Sequence, residues 1–544
     1  MRILVADKLA DEGLEFLKQS GMEYDAKVGL KEDELAATVP QYDAMVVRSG
    51  AKVTAKVLQD PGKLKAIARA GVGVDNIDLE AATGKGILVL NTAEASTLST
   101  AEHALALMMS LARRVPQAHA ALKGGQLEWK KRSQYQGTQL AGKTLGVVGL
   151  GRIGRTVASR ALAMEMNVLG FDPYFNAPTA LDGKVKMVRD FDEFLAQLDV
   201  ITFHVPGGEG TRHLLNRERL FGGKVKPNLL VVNDARGEVV DEFALAEALK
   251  EKKVAGAALD VFATEPPAKD HPLFGLDNVV LTPHLGASTD EAQTAVSVDA
   301  CKAIVAYLRS GEIRGAVNAG GIRLDLPPDE APFAKLAARI GTLLAGYCDC
   351  GYRTITLRAS GARAPKLMNT LLRLATVELL KPHLGLGAVN VINVEHLAKQ
   401  RGISLVQVQE EAPPAGLIGD VIGVRVEGTD GSSHRILGTV YADGLPRVLR
   451  VDGYSMDMAP EGNMVLVQNR DQPGVIGTVG TMFGDAGVNI ADMVISREFN
   501  KDGTATALMV LKTDSAPPDS LLNRLKARPN ILRVKSLVLP PRNA

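Results

Sequence analysis

Thr144-Leu145-Gly146-Val147-Val148-Gly149-Leu150-Gly151-Arg152-Ile153-Gly154 decides the fold of this chain. A short apolar run ends in glycines at GxGxxG spacing, and the following residues keep a helical pattern. In such a turn the first glycine permits the bend, the second lets a pyrophosphate approach the backbone, and the third packs helix on strand. The helix N-terminus then offers N–H groups to the phosphates. Gly149, Gly151, Arg152, Ile153 and Gly154 are therefore the expected dinucleotide loop. A lone GxGxxG also serves ordinary turns, so context matters. Asp172 falls 18 positions after Gly154, at the end of the next apolar run, where a carboxylate accepts hydrogen bonds from the adenosine ribose. It repels a 2′-phosphate, and Pro173-Tyr174-Phe175 brings no arginine to offset that. NAD is expected rather than NADP.

Apolar runs continue at Val168 to Asp172, Val200 to Val205, Leu229 to Asn233, Ala255 to Leu259 and Val279 to Thr282, with helical stretches between them. Their unbroken Val/Ile/Leu character is that of parallel strands buried on both faces. Upstream, Ile3 to Ala6, Ala44 to Val47, Leu64 to Ala68 and Ile87 to Leu90 alternate with helical segments in the same way. The reading is α/β, with two Rossmann-like doubly wound domains. A long helix is expected from Ser99 to about Lys123. Beyond the helix at Glu291 to Arg309, Leu324-Asp325-Leu326-Pro327-Pro328-Asp329 has the composition of a linker. An α+β region follows, and the last part, from about Gly462, reads βαββαβ, a ferredoxin-like order.

The chain has 544 residues, 63 Lys+Arg against 62 Asp+Glu and a net charge of +1. That length calls for three or four domains. The balanced charge lacks the basic excess of a nucleic-acid binder, and aromatics at 4% argue against stacking platforms for single strands. No apolar stretch approaches the ~20 residues needed to span a bilayer, and the start leads to acidic Asp11 and Glu12, not to a signal-like apolar region. A cytoplasmic protein is expected. Three cysteines are too few for a disulfide framework, and Cys348-Asp349-Cys350 lacks the spacing of a zinc site; no metal is expected.

Three further segments follow strand ends: Asn233-Asp234-Ala235-Arg236-Gly237, Ala258-Leu259-Asp260-Val261-Phe262-Ala263-Thr264-Glu265 and Thr282-Pro283-His284-Leu285-Gly286. Open α/β sheets place ligands at such carboxyl ends. Together an Arg, a Glu and a His form a complete oxidoreductase set: Arg236 pairs with a substrate carboxylate, His284 exchanges a hydroxyl proton, and Glu265 orients the imidazole.

This arrangement resembles the D-2-hydroxyacid dehydrogenase family over about residues 1 to 315. Val46-Val47-Arg48-Ser49, Arg69-Ala70-Gly71-Val72-Gly73-Val74-Asp75-Asn76-Ile77-Asp78 and the segment around Trp129 to Gly137 are most similar to its branch acting on 3-phospho-D-glycerate. The resemblance implies Arg236, Glu265 and His284 as catalytic residues. It places Val205, Pro206, Thr211, Asp234, Ala235, Asp260 and Gly286 at the cofactor, with Asp260 near the nicotinamide carboxamide. It puts the Val72-Gly73 backbone at the substrate carboxylate and makes Arg48 and Arg132 candidates for the substrate phosphate. It also implies a first domain of residues 1–98 that is completed by 286–318, around a nucleotide domain of 99–285. Dimers through the nucleotide domain, and tetramers in long forms, are implied as well.

Ile436-Leu437-Gly438-Thr439-Val440-Tyr441 through Asp452-Gly453-Tyr454 is similar to the end of the intervening domain of long-form members, assigned here to 319–455. Asn469-Arg470-Asp471-Gln472-Pro473-Gly474 and Gly487-Val488-Asn489-Ile490 are similar to ACT regulatory domains, assigned to 456–544. The implied function is NAD-dependent oxidation of 3-phospho-D-glycerate to 3-phosphohydroxypyruvate, the first step of phosphorylated L-serine biosynthesis, with feedback by L-serine at Asn469, Asp471 and Asn489. The alternatives are another D-2-hydroxyacid dehydrogenase or a non-enzymatic NAD-sensing partner protein. Two loops depart from the family pattern. Thr92 to Thr97 stands where a Gly-Asn pair is common, and Gly207-Gly208-Glu209-Gly210 where leucine and proline are usual. Leu198 replaces a usually small residue, a packing change.

Overall fold

The computed structural model describes residues 1–125, 127–385, 387–499 and 504–541. Four sheets organise them. The first has five parallel strands in the order Glu23–Ala26, Arg2–Val5, Ala44–Val47, Ala66–Arg69 and Leu88–Asn91. Ala44–Val47 and Leu88–Leu90 are buried throughout, as strands covered on both faces must be. The helix Asp290–Ser310 returns to this sheet: Val296, Ala300, Cys301 and Ile304 share a core with Ile3, Val5, Val46 and Leu90. The Ser297 hydroxyl accepts the Ala10 N–H at 3.1 Å, and Asn91 donates its N–H to Gly315.

The second sheet has eight strands: Val279–Leu281, Gly256–Leu259, Leu230–Asn233, Val200–Phe203, Thr144–Val148, Asn167–Phe171, Val185–Met187 and Thr179–Ala180. All pair in parallel except the edge strand Thr179–Ala180. The chain order reverses at Thr144–Val148, and in such sheets the ligand crevice lies at the reversal. Leu198 is fully buried and fills the space beside Gly146, where a Cβ would sit 2.2 Å from its Cδ1.

The single helix expected from Ser99 to Lys123 is two, Thr97–Arg113 and Val115–Lys123. Arg114 stands between them at φ 53°, and Pro116 occupies the first turn of the second helix. Proline has no N–H for the carbonyl four residues back, Ala112, which accepts the Thr138 N–H instead, and its ring would clash with that carbonyl in a continuous helix. The first helix buries Ala101, Ala104, Leu107, Met108 and Leu111 against the sheet.

A mixed six-stranded sheet follows, with helices Ala331–Tyr347 and Met368–Leu384 on one core. Its strands are Tyr352–Ser360, Ser404–Gln409, Val421–Gly428, Ser433–Val440, Pro446–Val451 and Tyr454–Met458. The last sheet is antiparallel, Ile490–Phe499, Ala505–Thr513, Gly462–Arg470 and Ile531–Leu539, backed by helices Val475–Asp485 and Asp519–Lys526. That is the βαββαβ order with the first strand central. Among the described residues no helix is long and apolar enough to cross a membrane.

Candidate active site

The glycine loop leaves strand Thr144–Val148 and enters helix Arg152–Ala163, with Gly151 as its N-cap. Gly149 sits at φ 88°, where a Cβ would lie 2.7 Å from the His204 carbonyl. A Cβ on Gly154 would lie 1.9 Å from the Gly149 carbonyl, so that contact is backbone on backbone. Around Gly151 nothing lies within 4 Å of such a Cβ, which leaves room for a pyrophosphate at the helix N-terminus. Asp172 ends the next strand. Its carboxylate accepts N–H bonds from Leu150 and Tyr174, both at 2.9 Å, which fixes an acceptor beside the loop. These residues fit a dinucleotide.

Opposite the loop, Val205 and Pro206 lead into Gly207 to Gly210. The Thr211 hydroxyl donates to the Pro206 carbonyl at 2.7 Å, and Gly208 donates its N–H to Glu238 at 2.6 Å. This chain's departure from the family loop is therefore tied down by a carboxylate next to Arg236. The other departure is tied too: Gly71 donates its N–H to the Thr92 hydroxyl at 2.8 Å, and Glu94 pairs with Arg152 at 2.5 Å.

His284 Nδ1 lies 2.7 Å from Glu265 Oε2, and Glu265 Oε1 accepts the Phe262 N–H at 3.1 Å. Burial opposes the charge on Glu265, yet His284 and the Phe262 N–H hold its carboxyl below the ordinary value. The pair is partly exposed to the cleft.

Arg236 follows strand Leu230–Asn233. Fully buried Asn233 shapes its turn, donating to the Arg236 carbonyl at 2.9 Å and accepting the Ala235 N–H at 3.2 Å. The guanidinium reaches across the cleft to the first sheet. Its Nε donates to Asp75 Oδ2 at 3.0 Å, and its Nη2 lies 1.9 Å from where a Cβ on Gly73 would stand. A side chain at 73 would push the Arg236 guanidinium away from the Val72-Gly73 backbone. Arg69 belongs to the same group and was missed from sequence. A Cβ on Gly71 would fall 1.6 Å from its Nη1, and its Nε is buried with no partner among the described residues. Burial, then the neighbouring Arg236, pushes it down to about 10. Arg48 adds a third cation, held by the Lys8 carbonyl and Gln293. Three guanidinium groups on one side of the cleft call for an anion larger than a carboxylate. Arg132 is not brought to this group; it is exposed in the 3-10 segment Trp129–Tyr135 and bonds the Trp129 carbonyl.

Asp260 is fully buried after strand Gly256–Leu259 and accepts the N–H groups of Leu285 and Gly286, both at 2.8 Å. Asp234 and Gly286 lie beside it; a Cβ on Gly286 would meet Asp234 Oδ1 at 2.7 Å. His103, also missed from sequence, places Nε2 at 3.1 Å from Asp260 Oδ1.

In the last sheet Asn469 and Asp471 line one cavity of about 210 Å³. Asn469 is buried with Oδ1 unpartnered, and Asp471 pairs with Arg497 at 3.0 Å. Asn489 does not line this cavity; its Nδ2 donates to Asp514 at 2.7 Å.

Residues 105–286 match the D-isomer specific 2-hydroxyacid dehydrogenase NAD binding domain, residues 330–452 the D-3-phosphoglycerate dehydrogenase intervening domain and residues 463–530 the ACT domain. Among solved structures, a Thermus thermophilus protein is 36% identical with a TM-score of 0.54, covering 58% of this chain and 100% of its own. A D-2-hydroxyisocaproate dehydrogenase is 26% identical with a TM-score of 0.52, covering 58% and 99%. Curated relatives extend over nearly the full length. D-3-phosphoglycerate dehydrogenase of Archaeoglobus fulgidus is 40% identical over 96% of this chain and 97% of its own, and that of Methanocaldococcus jannaschii 41% over 98% of each. The Bacillus subtilis enzyme of the same name is 37% identical over 99% of this chain and 100% of its own. With its NAD-binding, intervening and ACT segments in one order and near-complete coverage on both sides, the chain belongs to the D-3-phosphoglycerate dehydrogenase family.

Proposed function

We propose that this protein oxidises 3-phospho-D-glycerate to 3-phosphohydroxypyruvate with NAD, and that L-serine acts on it through the ACT segment. The observation that carries the reading is the cleft itself: Arg236, Arg69 and Arg48 gather on one side, and the His284–Glu265 pair stands at 2.7 Å. Arg236 and the Gly73 backbone take the substrate carboxylate. Arg48 and Arg69 take the phosphate, since guanidinium matches its geometry. His284 removes the hydroxyl proton as the carbonyl forms, and Glu265 stabilises the resulting imidazolium. NAD supplies the hydride acceptor, held by the loop Gly149 to Gly154 and by Asp172, whose charge disfavours a 2′-phosphate. Asp75 must release Arg236 before a substrate carboxylate takes its place.

The effector reading rests on the cavity at Asn469 and Asp471, where a carboxylate meets an ammonium and Arg497 a carboxylate; Asn489 enters only across paired copies. An oligomer is supported by the exposed apolar side chains Leu98, Met109, Val115 and Leu122 on the two helices after residue 96. A cytoplasmic location fits the biosynthetic role. NADH consumption with 3-phosphohydroxypyruvate tests the substrate: turnover well above that with glyoxylate or pyruvate is expected, and the reverse order overturns the assignment. Titration with L-serine tests regulation separately, with binding and reduced turnover expected.

A further inference from the structure

The loop bearing His284 stands in a backbone conformation that L side chains rarely adopt, φ 56°. One residue secures it. His284 donates its N–H to the Asp260 carbonyl at 2.8 Å, Leu285 to Asp260 Oδ1 and Gly286 to Oδ2. The Thr282 hydroxyl donates to Oδ1 at 2.5 Å, and His103 Nε2 lies 3.1 Å from both that oxygen and the Thr282 hydroxyl. Each oxygen of this buried carboxylate is therefore spent on the loop or on its neighbours.

A second acid lies beside it. Asp234, 6% exposed, brings an oxygen within 4.8 Å of the Asp260 carboxylate and of His103 Nε2. No hydrogen-bond donor among the described residues reaches its side chain, and Oδ2 is out of solvent without a partner. Gly286 leaves the room for it, because a side chain there would strike Asp234 Oδ1. Two adjacent buried carboxyls do not both ionise. Asp260, surrounded by donors, keeps the charge, so the proton resides on Asp234.

We propose that Asp234, as a neutral carboxylic acid donating to Asp260, and His103 are positioning residues that hold Asp260 and, through it, the loop carrying His284. Burial and the Asp260 charge push Asp234 up to about 9. Burial opposes the charge on Asp260 too, but His103, the Leu285 N–H and Thr282 outweigh it and hold Asp260 below the ordinary range. The titratable groups facing Asp234 are Asp260 and His103; His284 turns its ring to Glu265 instead. The proposal rests on the functional reading only in placing His284 at the reacting hydroxyl.

The test uses the full-length protein without ligand, and then with substrates. In the folded state Asp234 keeps a proton that the unfolded chain releases near pH 4. Its contribution to stability is therefore present below about 4 and lost as pH rises toward about 9. Asp234→Asn keeps a donor and cannot ionise, so its denaturant midpoint should fall less than the wild type's over that window. Asp234→Ala and His103→Ala should lower kcat about 10- to 100-fold with KM little changed, and His103→Gln should restore part of the loss. Identical pH slopes of stability in Asp234→Asn and wild type would show Asp234 ionised in the fold and overturn the acid pair. Wild-type kcat and pH profile in both alanine variants would overturn the positioning role. Failure to reduce 3-phosphohydroxypyruvate, with the flattened stability slope intact, would remove the substrate assignment and leave the acid pair standing.

Discussion

In the proposed mechanism Arg236 orients the substrate and His284 transfers the proton, so their losses should differ in kind. Arg236→Ala removes a charge-assisted pair with the substrate carboxylate, worth about 2–3 kcal/mol; kcat/KM should fall about 100-fold, with NAD affinity unchanged by fluorescence titration. His284→Ala should lower kcat by about 10²- to 10⁴-fold at similar KM. Glu265→Gln keeps the contact with His284 and removes its charge, so protonating the imidazole becomes harder. The acid limb of the oxidation pH profile should then move to lower pH. The opposite shift would mean that Glu265 does not serve His284. These three residues were legible in sequence because each follows a strand end. Arg69, Asp75 and His103 were not, since the contacts of Arg236 with Asp75 and of His103 with Asp260 span 161 and 157 positions and exist only once the sheets face each other.

At the level of elements, the parallel strands were readable because burial on both faces forces unbroken apolar runs, as in Leu230–Asn233. Tyr352–Ser360 escaped notice because Arg353, Thr354, Thr356 and Arg358 break up its apolar residues, so neither an unbroken run nor a clean alternation marks it. The break at Arg114 was written in Pro116 but overridden by the apolar spacing on either side. Gly154 is the element-level residue most exposed to test. A methyl there meets the Gly149 carbonyl at 1.9 Å, which forces helix Arg152–Ala163 away from its strand. Gly154→Ala should weaken NAD binding at least 10-fold by isothermal titration and lower Tm by several degrees, as overpacking of about 1–3 kcal/mol does.

Across the whole molecule, the intervening region touches the first sheet's domain through Ile392, which is buried in that domain's core, and through a few polar contacts. Asn390 donates to the Gly86 carbonyl at 2.9 Å, and a Cβ on Gly86 would stand 2.3 Å from that amide nitrogen. Asn390→Ala should leave NADH-linked turnover unchanged and speed proteolysis in the irregular stretch around residues 323–329; an unchanged cleavage rate would mean the docking is held elsewhere. The Arg236–Asp75 contact also spans two bodies, and its effect reaches into solution conditions. A substrate carboxylate that displaces Asp75 trades one ion pair for another, so this end of the substrate adds almost nothing to the salt dependence of KM. Ionic strength then reports the phosphate end alone. Asp75→Asn turns the exchange into a net gain of charge pairing, lowering KM in dilute buffer and steepening its rise with added salt.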